Sequence, residues 1–290
     1  MERKFKIISD SSSDMPESYF EEHDVECVRL GFLMDSVLYF GEDGQSIDTH
    51  EFYEKVRAGA MPTTHQVNIE TAKDHIEKYL KAGQDVLVIA FSSGLSGTAN
   101  SFAVAARELK EAYPEREVLV TDSLCASMGE GLYLDYVIRK ADTGASIRET
   151  YDYAESIKQN ICHYFTVDNL FHLKRGGRVS AATAIVGTLL NIKPVLYVDP
   201  EGHLIPVGKT FGRKKSIHAL FDKMKALQDM APGDPVFISH GDCKEDAEFV
   251  AEKVRERYRV KTMIINHVGA VIGAHSGPGT LALFFVGSPR

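Results

Sequence analysis

Three short segments hold most of the side chains able to bind an anion. Ser92-Ser93-Gly94-Leu95-Ser96-Gly97-Thr98 sets four hydroxyls and two glycines between a strand-like run and a helix-like pattern. Glycines let backbone approach a ligand, and the hydroxyls and first free N–H groups of a helix can donate to one point. Taken alone, the segment reads equally well as a capped helix start behind a serine-rich turn. It is not a phosphate P-loop, because no Gly-Lys-Ser/Thr follows. Pro62-Thr63-Thr64-His65-Gln66 is a second polar stretch, and by itself it reads as an extended lead-in to a helix cap at Asn68. His275-Ser276-Gly277-Pro278-Gly279 is the third. Its Gly-Pro-Gly makes a tight loop able to present His275 to a cleft, although a lone histidine is more often structural.

Two basic clusters accompany them. Lys174-Arg175-Gly176-Gly177-Arg178 is a flexible loop that suits phosphate groups, an acidic partner surface or plain solvation. Lys209, Arg213, Lys214 and Lys215 gather near a helix start, where the helix dipole disfavours cations, so a binding use is favoured there. An enzyme reading is an acyl hydrolase or phosphotransferase with Ser96 as nucleophile and His275 as base. No Gly-x-Ser-x-Gly elbow supports it. His240-Gly241-Asp242-Cys243 is a single short cluster without paired Cys/His spacing, so neither a metal nor another cofactor is expected.

The elements that must position these residues change in kind along the chain. Phe5 to Ser9, Val25 to Leu33, Asp85 to Phe91 and Glu117 to Val120 read as strands. Helical stripes stand between them, as in Ile69, Ala72, Ile76 and Leu80, and in Phe102, Ala105, Leu109 and Ala112. Strand, loop and helix in repetition predict a mainly parallel sheet. Ligands gather beyond the carboxyl ends of such strands, where the hydroxyl-rich loops after Ser9, Phe91 and Val120 all fall. Later, Ile192 to Val198 and His203 to Val207 flank the turn Asp199-Pro200-Glu201-Gly202 and predict an antiparallel hairpin. The expectation is two α/β domains, residues 1–164 and 165–290, with a ligand cleft between them.

Composition narrows the function. The 290 residues exceed one comfortable core. The formal charge of −8 has both signs interspersed, which argues against nucleic acid or an anionic membrane as main partner. Cys27, Cys125, Cys162 and Cys243 form no close pair and read as reduced thiols in a cytoplasmic protein. No apolar run approaches the roughly 20 residues of a membrane span.

Together these segments resemble the DegV family over nearly the whole chain. The resemblance is carried by Ile8-Ser9-Asp10-Ser11, Pro62 to Gln66, Ser92 to Thr98, Asp122-Ser123, Leu170 to Ser180, Asn191-Ile192-Lys193-Pro194 and His275 to Gly279. It implies a bacterial fatty-acid-binding protein, not an enzyme, that holds a long-chain acid such as palmitate or oleate in an interdomain tunnel. The acid would be presented to a fatty acid kinase for acyl-phosphate formation, in lipid transport or fatty acid metabolism. It further implies that Thr64, Ser96 and His275 bind the carboxylate, supported by Thr63, Ser93, Gly97, Thr98 and Gly277. Arg178, Lys209, Arg213 and Lys214 are expected to dock the partner. His65 stands where the family commonly has Ser, and Phe211 where it often has Arg. Ala184 to Leu190 is a candidate lining for the tail.

Overall fold

The computed structural model describes residues 3–41, 44–180 and 191–290. Runs that are apolar on both faces form a parallel sheet, as buried strands must when helical crossovers cover both sides. β1 (Phe5–Asp10) is buried throughout and lies between β2 (Val25–Val28) and β6 (Asp85–Ala90), with β7 (Val118–Asp122) outermost, all parallel. Helices α1 (Glu17–Glu22), α3 (Ile69–Lys81) and α4 (Thr98–Ala112) lie in the crossovers. Asn68 caps α3 by accepting the Thr71 N–H at 2.8 Å. Asp48 likewise caps α2 (Thr49–Arg57).

A three-stranded antiparallel sheet interrupts this pattern, with β3 (Gly31–Met34) between β4 (Val37–Phe40) and β5 (Thr63–His65). Val25 to Leu33 is therefore two strands in two sheets, not one. The Leu30 N–H turns away to Ser11 Oγ at 2.9 Å, and a continuous apolar run carries no period that marks such a break. Thr63 to His65 is a strand rather than a loop, pairing with Leu33, Phe32 and Gly31.

The second half forms a six-stranded sheet of order β10-β9-β8-β13-β11-β12. Its strands are β8 (Ile161–Thr166), β9 (Ile192–Val198), β10 (Leu204–Phe211), β11 (Val236–His240), β12 (Met263–His267) and β13 (Leu281–Val286). Only β11 and β12 pair in parallel, and the β9–β10 hairpin forms around Asp199 to Gly202. The change of sheet falls at Ile161, because a division after residue 164 would cut β8. Helices α6 (Ile147–Ile157), α7 (Phe171–Arg175), α8 (Arg213–Leu227), α9 (Lys244–Arg257) and α10 (Ala270–Ser276) complete the fold.

Helix α5 (Met128–Asp142) joins the halves. Met128, Leu132, Tyr133, Leu134, Val137 and Ile138 are all buried in one cluster. That cluster also takes Phe5 and Leu87 from the parallel sheet and Phe165, Leu196, Phe237 and Phe284 from the second sheet. The two sheets thus share this cluster, beside which other buried clusters form around Ile8, Phe52 and Phe102 and around Ile217, Ile238 and Phe285.

Candidate functional site

A cavity of about 820 Å³ is lined from both halves of the chain, within the roughly 300–1,000 Å³ common for small-molecule sites. Much of its wall is apolar, including Phe91, Leu95, Phe165, Ile272 and Phe284. Polar groups enter from three elements. Pairing of Thr64 with Phe32 fixes β5, and Thr64 Oγ1 lies 2.8 Å from His275 Nε2. Val271, Ile272, His275 and Ser276 all line the cavity, the spacing of one helical face along α10, and Val268 joins them from just before it. Ser96 is held just before α4, accepting the Thr98 N–H at 3.2 Å, with Thr98 Oγ1 3.0 Å away.

Two glycines stand where these segments approach most closely. A Cβ on Gly97 would fall 2.3 Å from Gln66 Oε1, so the Ser96 loop lies directly against the end of the Gln66 side chain. A Cβ on Gly176 would fall 2.2 Å from His275 Nδ1, so the end of α7 rests directly on the imidazole. Burial, followed by the charges of Arg178 and Arg175, pushes His275 down to about 4. The ring is therefore neutral near pH 7, and Thr64 is its one hydrogen-bonding partner among the described residues.

The expected residues do not all gather here. Thr64, Ser96, Gly97 and His275 line the cavity. Thr98 lies just behind, linked to the second segment by the Val67 N–H at 3.4 Å. Thr63 and Ser93 are exposed and do not line it, and the Ser93 N–H is engaged by Asp122 Oδ1 at 3.1 Å. Gly277 is buried with φ of 78°, packed on His172 outside the cavity wall. His65 lines the cavity and is exposed, while Phe211 is 64% exposed.

The basic residues divide differently from expectation. Arg178 lines the cavity together with Thr64, Ser96 and His275. Its Nε donates to Leu95 O at 3.2 Å and its Nη1 to Gly176 O. Arg213 is bound by Asp246 at 2.8 Å and lies 3.6 Å from Asp168, which offsets the unfavourable helix-start position. Lys209 and Lys214 remain exposed. Arg175 was not singled out from the sequence, yet its Nη2 bridges Pro62 O at 3.1 Å and Ala274 O at 2.9 Å. It thereby ties the lead-in to Thr64 to the residue before His275. Ala184 to Leu190 lies outside the described residues.

Ser127 and Ser239 also line the cavity and were not anticipated. Ser127 donates to Asp14 Oδ2, and Ser239 Oγ stands 2.9 Å from Ser127 Oγ. Asp14 also accepts the Gly269 N–H, but burial dominates and raises it to about 7. Asp10 and Glu130, buried nearby, are raised for the same reason. Asp10 knits the strand ends together, accepting the Ser12 and Phe91 N–H groups at 3.0 Å each.

The hydrolase arrangement is not assembled. Ser96 Oγ bonds within its own loop, and His275 Nε2 bonds to Thr64. Among the described residues no carboxylate orients His275, so nucleophile, base and orienting group do not form a chain. His50, Glu54 and Asp242 could approach one metal ion, but the Arg57 guanidinium already bonds both acids.

A family model described as an uncharacterised protein of the DegV family matches residues 4–288. The chain belongs to the DegV family. A DegV domain-containing protein of Clostridium perfringens is 43% identical over 288 residues, covering 99% of each chain. A relative in Thermotoga maritima, 33% identical with 96% of each chain covered, is named a fatty acid-binding protein. Among solved structures, a fatty-acid-binding DegV family protein from Thermus thermophilus superposes with a TM-score of 0.88 at 29% identity, covering 98% of this chain and 100% of that one. A stearic-acid-binding protein from Eubacterium ventriosum gives 0.85 at 25% identity, covering 98% of both. The fold shared with these neighbours is the three-sheet α/β arrangement described above.

Proposed function

We propose that this protein binds one long-chain fatty acid in the cavity, with its carboxylate at Thr64, Ser96 and His275, and presents that carboxylate to a partner kinase. The observation that carries the reading is the 2.8 Å Thr64–His275 contact on the wall of an otherwise largely apolar cavity, with Ser96 on the same wall. Each buried CH₂ contributes roughly 0.8 kcal/mol, so a chain of about sixteen carbons supplies on the order of 10 kcal/mol before ordering costs. The tail gives affinity, and the head group still needs donors once it leaves water. Hydroxyls meet that need while leaving one carboxylate oxygen for chemistry by another protein.

Native mass spectrometry of the freshly purified protein should find a fatty acid bound. The head-group assignment is tested by titrating oleate and oleyl alcohol into wild type, Thr64→Ala, Ser96→Ala and the double variant. Each single change should cost the acid roughly 0.5–3 kcal/mol. The double variant should be non-additive, because both hydroxyls serve one anion. Full retention of acid preference in all four proteins would place the carboxylate elsewhere.

The partner would meet the exposed face carrying Lys209, Phe211 and Lys214. Charge reversal at Lys209 and Lys214 is expected to slow kinase-dependent phosphorylation of bound lipid, more so at low salt, with lipid affinity unchanged. Equal loss of lipid binding would sink this division of labour. Among the described residues no helix is long and apolar enough to cross a membrane, and the proposed role is lipid carriage within the cytoplasm.

A further inference from the structure

The cavity wall carries a polar spot that the head group does not use. Ser127, just before α5, and Ser239 of β11 both line it, and Ser239 is fully buried. Their neighbours on the wall are apolar: Ala126 precedes Ser127, and Ala282 pairs with Ser239 and lies opposite Phe165. Asp14 places this spot along the ligand. Its carboxylate accepts the N–H of Gly269, the residue that opens α10, and His275 stands at the other end of that helix. At roughly 1.5 Å per residue, Gly269 and His275 are about 9 Å apart along the axis. A carboxylate held at His275 therefore brings the middle of an extended stearate chain to the two serines.

Hydrogen-bond direction decides what the spot can take. A serine hydroxyl has a single proton and two acceptor sites. Ser127 Oγ gives its proton to Asp14 Oδ2, so Ser239 is the donor across their 2.9 Å contact. Both protons are then spent, while acceptor sites stay open on each oxygen. Among the described residues no other donor reaches either hydroxyl oxygen. His163, which also lines the cavity, is engaged at both ring nitrogens, by Ile161 O at 2.9 Å and the Ala126 N–H at 3.3 Å. Acceptors set in an apolar wall call for a donor from the ligand.

We infer that Ser127 and Ser239 form a second polar subsite, which takes a hydroxyl group in the middle of the acyl chain, so that the cavity accepts mid-chain hydroxy fatty acids. The inference rests on the head-group reading above, which sets the end from which chain position is counted. The ligand hydroxyl donates to a serine Oγ. A ketone at the same carbon offers only an acceptor and stays unpaired.

The test is calorimetric titration of the full-length protein at about pH 8, above the value of about 7 to which burial raises Asp14, so that its carboxylate accepts from Ser127. The probes are stearate, hydroxystearates with the hydroxyl moved stepwise along the chain, and the oxostearate matching the tightest of them. A wholly apolar wall would weaken every mid-chain isomer about tenfold or more against stearate, the cost of burying an unpaired hydroxyl. The expected result is instead a maximum in the middle of the chain, where one isomer binds as tightly as stearate. Isomers hydroxylated nearer the methyl end, and the matching ketone, should bind at least about tenfold more weakly than that isomer. In the double variant Ser127→Ala/Ser239→Ala the maximum should vanish. A profile without a mid-chain maximum, equal binding of ketone and alcohol, or a maximum that persists in the variant would overturn the subsite while leaving fatty acid binding intact. If the variant does not fold, the two wild-type comparisons decide. Failure of wild type to bind stearate or any hydroxystearate would remove the head-group reading, and this inference with it.

Discussion

Ala282→Phe is expected to weaken binding of an eighteen-carbon acid by about 100-fold. Ala282 lies on β13 opposite Phe165 of β8 and Ser239 of β11, on the cavity wall among apolar side chains. A phenyl ring there takes the place of roughly four methylenes, or about 3 kcal/mol of transfer energy at 0.8 kcal/mol each. At about 1.4 kcal/mol per decade that is two decades of affinity. The added ring projects into the cavity, so the melting temperature should change little. The loss should shrink for shorter acids, whose tails end before the obstruction. Calorimetric titration of an acid series from eight to eighteen carbons separates the outcomes. A penalty equal at every length would show that the substitution disturbs the head group, and the tail would then lie elsewhere.

Asp14→Asn is expected to reverse part of the pH dependence of stability. Asp14 is buried and its acidity is shifted from 3.8 to about 7, mainly by burial. Between those values the unfolded side chain has released its proton and the folded one retains it. Stability therefore falls as pH rises through this window and is flat above it. Each unit corresponds to about 1.4 kcal/mol, so the full effect is on the order of 4 kcal/mol. An asparagine cannot ionise. Its carbonyl can accept the Gly269 N–H and its amide can donate to Ser127, whose own hydrogen then turns to Ser239. Between pH 5 and pH 8 the stability difference should move by about 3 kcal/mol in favour of the variant. Urea unfolding of both proteins at the two pH values reads this directly. Parallel behaviour would mean that Asp14 is ionised in the folded protein throughout.

Much of the scaffold was legible because local and global signals agree. The apolar runs at Phe5 and Asp85, the Asn68 cap and the stripe through Phe102, Ala105 and Leu109 each specify one element. The loops beyond the parallel strands do meet, as Asp10 accepts the Phe91 N–H and the Ser92 N–H reaches Cys125 O at 3.1 Å. What was not legible depends on direction and on distant partners. Glycines beside Arg178 indicate a flexible loop, but they do not say that its side chain turns inward. Arg213 reads as a free cation until Asp246, 33 residues later, is brought to it. Gly176 reads as a turn residue, and only the fold reveals the histidine against it. The neutrality of His275 follows from burial and from two arginines about a hundred residues away, which no local pattern records.

The core shared through α5 limits how any ligand could get in and out of the cavity. Swinging the two halves apart would bare Phe5, Leu87, Met128, Leu132, Phe165, Phe237 and Phe284 to water at once. At roughly 1.5–3 kcal/mol for each large apolar side chain, this exposure costs on the order of 10–20 kcal/mol. A barrier of that size is comparable with unfolding the protein. Jaw-like opening is thus a costly route to the cavity. If the protein carries lipid as proposed, end-on entry avoids that cost, and the residence time should then respond to substitutions at the cavity rim more than to anything that stiffens the contact between the halves.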